Sequence, residues 1–349
     1  MSRSQSSRRR CQPTLDAMES RALLSTLALH AHPDHRHSSP HGPSATIIGT
    51  ASAGGAQFTN FDTPGAGTIA NAGTNANGIS NSGFTTGFAI DNAGAFHNFL
   101  VNPLKAHSLE SLNIGGSTTA NAFGISRSGL VVGSDGNGHA FELARKRLMT
   151  FVPSGASAAT AFGINDRGMI VGQETVGQTM PGFVQVNKKT YVTINAPSGP
   201  NTVNAQGISN KGQVVGFYVG TDGQDHGFMA SLGKVGRKGA TITGTPIADP
   251  KIPTVAGESG ATFVFSQILG INDKGIAVGY YGDSTTSQHG FLYNTHTGQY
   301  TFLDDPSAAF HNGVEVTQIT GINNAGEISG FYSDAQGVFH AFVATTSIA

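Results

Sequence analysis

Charge is scarce in this chain: Asp, Glu, Lys and Arg make up 12% of its 349 residues, with 20 basic side chains against 21 acidic ones. A near-neutral balance provides no basic stripe to displace counterions from phosphates, which argues against a nucleic-acid partner. Trp is absent, and the lone cysteine, Cys11, excludes an internal disulfide framework or a cysteine-based zinc site. After the first thirty residues no run is apolar enough to span a bilayer, so no membrane span is expected in the body of the chain. Glutamate is rare there (Glu110, Glu142, Glu174, Glu258, Glu315 and Glu327) and falls at non-equivalent positions, without the paired carboxylates of glycosidic chemistry. Neither a Gly-x-Ser-x-Gly elbow nor a phosphate-binding loop is found.

What the chain does have is glycine, 48 residues of it, and phenylalanine, 21 residues. The glycine follows no collagen triplet, so it marks turns. Six times the chain writes Gly-Ile-[Ser/Asn]-x-x-Gly-x-x-x-Gly, starting at Gly78, Gly124, Gly163, Gly207, Gly270 and Gly321. The copies are spaced 46, 39, 44, 63 and 51 residues apart. A second signal, His-x-Phe, follows at His97, His139, His226, His289 and His340, while the third copy reads Pro181-Gly182-Phe183. Repeats of this length mean an array of equivalent supersecondary units.

Each unit reads as an antiparallel meander. Ser/Asn-x-x-Gly is turn chemistry, in which the polar side chain bonds the turning backbone and Gly accepts a positive φ. An apolar strand such as Gln213–Tyr218 follows, then a polar Gly/Asp turn, then a strand opening at the His. A fourth strand is visible in segments such as Thr190–Ile194 and Gln299–Leu303. With no sustained 3.6-residue apolar period, an all-β fold is expected.

Six four-stranded units fit a six-bladed β-propeller; the alternative is an open β-solenoid. The last unit lacks a fourth strand, and an unpartnered one, Gln57–Asp62, stands at the front. Residues 57–62 are therefore predicted to pair with residues 340–345 and close the ring. The third motif glycine (Gly87, Gly133, Gly172, Gly216, Gly279, Gly330) would lie inside a strand, where it points to a bulge or a close backbone approach.

This double signature resembles the extracellular repeat family called HAF, whose His-Ala-Phe triplet occurs literally at His139–Phe141 and His340–Phe342. The likeness covers residues 57–345, although Pro181 in unit three and a shorter offset in unit two depart from it. It implies an extracellular location and a repeat architecture, and no assigned activity.

Two segments are thus distinguished: residues 1–43 and a repeat domain, 44–349. The first carries six Arg and three acids, a net charge of +3, while the remainder sums to −4. Arg8-Arg9-Arg10 and the apolar run Ala22–Ala31 suggest an export signal. Within it, Arg8–Ser25 resembles the N-terminal signature of planctomycete-type surface and secreted proteins, with Leu15, Glu19, Arg21, Leu23, Leu24 and Ser25 matching. His30, His32, His35, His37 and His41 follow in a Pro/Ser/Gly-rich stretch, read as a linker, with metal capture as the alternative.

The five motif histidines could ring a ligand or metal, but equivalent blade positions lie far apart and a metal needs its ligands about 2 Å away. Each is expected instead to bridge a turn of its own blade, and the motif glycines to serve the fold. Asp91, Asp135, Asp222, Asp225, Asp283 and Asp334 fall in the hairpin turns. None matches a calcium loop, so turn chemistry is the expectation; no cofactor is called for, and a single blade-edge calcium stays open. The long insertion from Ser231 to Gly260 is read either as a binding-face loop or as length drift. The functional expectation is a secreted or cell-surface, non-catalytic binding or scaffold module for a glycan or surface protein. The alternatives are a propeller hydrolase or lyase acting on polysaccharide and a purely structural surface protein.

Overall fold

The computed structural model describes residues 44–105, 108–233, 240–251 and 260–347; the basic and His-rich segment 1–43 lies outside these, as do Lys234, Arg237, Lys238, Pro253 and Glu258 of the insertion. No helix occurs among the described residues. Two strands come first, β1 (Thr46–Ala53) and β2 (Ala56–Asp62). Blade one follows as β3 (Gly73–Ile79), β4 (Thr85–Ile90), β5 (Phe96–Val101) and β6 (Leu109–Ser111). Blade two is β7 (Asn121–Ile125), β8 (Leu130–Ser134), β9 (Ala140–Ala144) and β10 (Arg147–Phe151). Blade three is β11 (Ala158–Ile164), β12 (Ile170–Thr175), β13 (Gly182–Asn187) and β14 (Thr190–Asn195). Blade four is β15 (Val203–Ile208), β16 (Gln213–Val219) and β17 (Asp225–Ser231), with β18 (Ala240–Thr243) and β19 (Thr245–Pro246) after them. Blade five is β20 (Phe263–Ile271), β21 (Ile276–Asp283), β22 (Gln288–Asn294) and β23 (Gln299–Phe302); blade six has β24 (Thr317–Ile322), β25 (Glu327–Ser333) and β26 (Phe339–Thr346).

The ring closes as the sequence predicts. β2 pairs antiparallel with β26, Phe58 opposite Ala344 and Phe61 opposite Ala341, and so supplies blade six with its fourth strand. β1 then folds back on β2 as a fifth, largely exposed strand. The chain is a closed six-bladed β-propeller, and the open solenoid is excluded by that pairing.

Two glycines per unit explain the close packing. The first motif glycines lie side by side around the axis. A Cβ on Gly163 would come 2.3 Å from the carbonyl oxygen of Gln206, and one on Gly207 2.9 Å from the Cα of Gly270. The third glycine sits in the second strand, opposite a register shift in the first, such as the shift between Ala205 and Gly207 facing Gly216. A Cβ on Gly216 would stand 1.9 Å from the Asn204 carbonyl oxygen and 2.8 Å from the ring of Phe228. Gly216 pairs directly with Phe228 across β16 and β17. The same pairing joins Gly133 to Phe141, Gly172 to Phe183, Gly279 to Phe291 and Gly330 to Phe342. Unit two keeps it by shortening its hairpin, which accounts for its shorter offset. All six phenylalanines of this position are fully buried, each worth about 1.5–3 kcal/mol of transfer free energy.

The described part of the insertion is structural. β18 adds to blade three in parallel with β14, and β19 supplies the fourth strand of blade four beside β17.

Candidate functional site

Because the chain meanders, each first strand runs to the motif turn at one end of the barrel and the second returns to the Asp-rich hairpin at the other. The two polar motifs therefore face opposite ends of the axis.

At the motif end, the residue after Gly-Ile-[Ser/Asn] forms a belt around the channel mouth: Asn81, Arg127, Asp166, Asn210, Asp273 and Asn324. The backbone N–H of Asn324 donates to Asn81 Oδ1 (2.7 Å), that of Asp273 to Asn324 Oδ1 (2.8 Å), and that of Asn210 to Asp273 Oδ1 (2.6 Å). Asp166 N–H donates to Asn210 Oδ1 (2.9 Å) and Arg127 N–H to Asp166 Oδ1 (2.8 Å). Arg127 has no side-chain acceptor, and Asn81 Nδ2 instead reaches Asp166 Oδ2 (2.7 Å). Partial burial pushes the Asp273 carboxyl up, but hydrogen bonds from Asn210 and Asn324 and the charge of Lys211 hold it below the usual range.

One step deeper, the Asn of each Gly-Ile-Asn copy serves two blades. Asn165 Oδ1 accepts from the N–H groups of Arg167 and Met169 in its own turn, while its Nδ2 donates to the Ser209 carbonyl of the next blade (3.0 Å). Asn272 reaches Asn323 O (3.2 Å) and Asn323 reaches Ser80 O (3.0 Å) in the same way. A Ser at this position closes the turn alone, as Ser209 Oγ does for Gln213 N–H. Within the belt the axis narrows to a cavity of about 90 Å³, lined by the motif glycines and by Asn77, Phe123, Phe162, Gln206, Leu269 and Thr320.

At the opposite end the histidines engage the turn aspartates. One oxygen of Asp91 accepts from the N–H groups of Ala93 and Ala95, closing the hairpin, and the other holds His97 Nε2 (2.8 Å). Asp135 does the same for His139 (2.8 Å) and Asp334 for His340 (3.2 Å). In three blades the second ring nitrogen meets an aspartate at the end of the fourth strand. His226 Nδ1 lies 3.1 Å from Asp249, His289 Nδ1 2.8 Å from Asp304, and His340 Nδ1 2.9 Å from Asp62. Their rings also lie 5.2–5.8 Å from Tyr218, Tyr281 and Tyr332, centroid to centroid. His97 is 52% exposed and His289 only 8%; the clasps are shallow in blades one and two and deeper in blades four to six. Burial alone would pull His226 and His340 down, yet the flanking carboxylates raise both above the ordinary imidazole value.

The five histidines thus occupy equivalent but separate positions, and the six glycines gather at the axis. Among the described residues no three of His, Cys, Asp or Glu converge as a metal cluster. The axial belt was not anticipated, although its signal is present: the residue after Gly-Ile-[Ser/Asn] is polar in every copy. Two buried glutamates stand apart between blades two and three. Glu142 is ion-paired with Lys188, and burial pushes the Glu174 carboxyl up.

The fold and its polar belts define a β-propeller. No protein-family model matches the chain, and no curated protein sequence does. Solved structures similar to it include TolB from Acinetobacter baumannii, with 8% identity and a TM-score of 0.46. That likeness covers 76% of this chain and 64% of TolB, so the chain spans less than two thirds of TolB's length. The β-propeller domain of the Trilobed protease from Pyrococcus furiosus shows 8% identity and a TM-score of 0.43, covering 86% of this chain and 93% of that one. The Aleuria aurantia lectin in complex with Fucα1-6GlcNAc shows 10% identity and a TM-score of 0.42, covering 77% and 91%. At these identities and TM-scores the likeness carries nothing about activity or ligand, and the propeller rests on the strand pairing itself.

Proposed function

We propose that this protein is a secreted or cell-surface HAF-type propeller acting as a non-catalytic binding or scaffold module for a glycan or surface protein. One observation carries the reading: the polar side chains that recur from blade to blade spend their hydrogen bonds inside the scaffold. The aspartates and asparagines of the axial belt bond one another, and the histidines bond turn aspartates. Ligand contact then falls to positions that differ between blades, on a frame held rigid by the repeat. The axial cavity, about 90 Å³, is well below the roughly 300 Å³ at which small-molecule sites begin, which favours an outer surface. The export-like features of residues 1–43 support the location.

The test is a thermal-shift screen of the purified protein against envelope and matrix polysaccharides, with fractionation of the source cells alongside. A ligand bound by the folded state alone stabilises it by about 2.7 kcal/mol at a hundredfold excess over Kd. A saturable shift with a polysaccharide that is recovered uncleaved supports the proposal. Cleavage of that polysaccharide would replace it with the hydrolase or lyase, and retention in the cytoplasm would remove the export reading.

A further inference from the structure

Where the N-terminal strand closes the ring, a cluster of oxygen atoms is buried between blades five and six. Asn60, on β2, is 1% exposed and Asp305, just after β23, is also 1% exposed. Asn60 Nδ2 donates to Asp305 Oδ1 (3.3 Å) and to Ser307 Oγ (3.1 Å). The same Asp305 oxygen accepts from Ser307 N–H (2.8 Å), and Asp305 N–H donates to Thr317 Oγ1 (3.3 Å). These contacts fix both side chains and leave their remaining oxygens bare. Asn60 Oδ1 and Asp305 Oδ2 are buried without a hydrogen-bond partner, and so is Asp62 Oδ1, two residues further along the strand.

These atoms share one neighbourhood. Asn60 and Asp62 are two apart on β2 and so project from the same face. The Tyr332 phenol of β25 stands close to Asn60 and Ser307, and burial, followed by the charges of Asp305 and Asp62, pushes it up to about 12. The cationic group at hand, His340, is engaged with Asp62 Oδ2 and Asp334. Unpaired acceptors are costly when buried, a carboxylate oxygen most of all. Burial accordingly pushes the Asp305 carboxyl up, and the charge of Asp304 adds to this.

We propose that Asn60, Asp62 and Asp305 form a calcium site, with the Tyr332 ring as its neighbour and not a ligand, that staples the closing strand to blades five and six. The donor set decides the ion. Carboxylate and amide carbonyl oxygens suit a hard cation of flexible coordination, whereas zinc favours nitrogen and sulfur and magnesium demands a near-ideal octahedron. Asp62 is partly exposed, which leaves a route for the ion and for water to fill its remaining positions.

The test uses the full chain, stripped with a chelator and desalted, then titrated with calcium while its melting temperature is followed. A saturable rise of several degrees is expected with calcium and little with magnesium. Terbium supplies an independent readout, because the chain has no Trp and tyrosine must sensitise the ion. Tyrosine-excited terbium emission is expected in the wild type, displaced by calcium and largely lost in Tyr332→Phe, which keeps its calcium-induced melting shift. Asp305→Asn should lose that shift; should it fail to fold, the Tyr332→Phe comparison still decides. Calcium-insensitive melting in the wild type, as expected if buried water fills the space, overturns the proposal. So does terbium emission that persists in Tyr332→Phe, since the ion then sits elsewhere.

Discussion

At the scale of single residues, one glycine and one phenylalanine set the packing of each blade. Gly216 leaves room for the Asn204 carbonyl and for the ring of Phe228, so the two motif signals are halves of one contact. Phe228→Ala is expected to cost about 3–5 kcal/mol in chemical denaturation, the range for a buried aromatic. Gly216→Ala should also destabilise, because a methyl group 1.9 Å from a carbonyl oxygen forces the strand to move. A Gly216→Ala variant melting with the wild type would show that the close approach is not required. The histidines divide by burial. His97→Ala removes an exposed pair and should change stability by less than about 1 kcal/mol. His340→Ala leaves Asp62 and Asp334 without their shared partner at the closing seam and should cost clearly more in the same measurement.

Among elements, the closing strand matters most. β2 buries Phe58 and Phe61 and pairs along β26, whereas β1 lies on the outside. Removing residues 44–62 should lower the melting temperature sharply, while removing 44–53 should lower it little, as scanning calorimetry can compare. Equal losses from the two truncations would mean that β1, not β2, carries the closure. β2 was legible because Gln57–Asp62 repeats the pattern of Tyr300–Asp304 and the final unit lacks a fourth strand. β1 was not: Thr-Ile-Ile-Gly-Thr-Ala-Ser-Ala shows no alternation of apolar and polar residues, since its faces are mostly exposed. Nor was β18, whose parallel pairing with β14 depends on a partner outside its own repeat unit. The axial belt joins elements in another way. Asn210→Ala withdraws the acceptor of Asp166 N–H and a donor to Asp273, so it should destabilise by about 1–3 kcal/mol.

Over the whole molecule, the shifted groups predict how stability varies with pH. Burial pushes Asp225 up to about 6, against the hydrogen bond from Gln267 and the charge of His226. The folded state therefore binds more protons than the unfolded one as pH rises from about 4 to about 6, and stability falls across that window. His226 and His340 are raised above 6.5, so their contribution is complete below that value and is lost as pH climbs through their folded values. Asp91, Asp135, Asp222, Asp273 and Asp334 are depressed; their contribution is present above 3.8 and is lost as pH drops through the lowered values. The melting temperature, measured in chelator, should peak between about pH 4 and 5 and decline toward pH 8. A maximum at pH 7 or above would contradict these assignments.

The number of blades, the all-β character, the turn glycines and the closing strand were all written locally, because each is a property of one hairpin or of its repetition. Turn chemistry and β patterning act over a few residues and need no knowledge of the rest of the chain. The belt at the axis, the pairing of histidine with turn and strand-end aspartates, and the oxygen cluster at the seam were settled by tertiary contact. Asn60 and Asp305 stand 245 positions apart, and Asn324 meets Asn81 across 243. Such neighbours are chosen by ring closure and blade order, which bring together side chains whose local sequences carry no mark of one another.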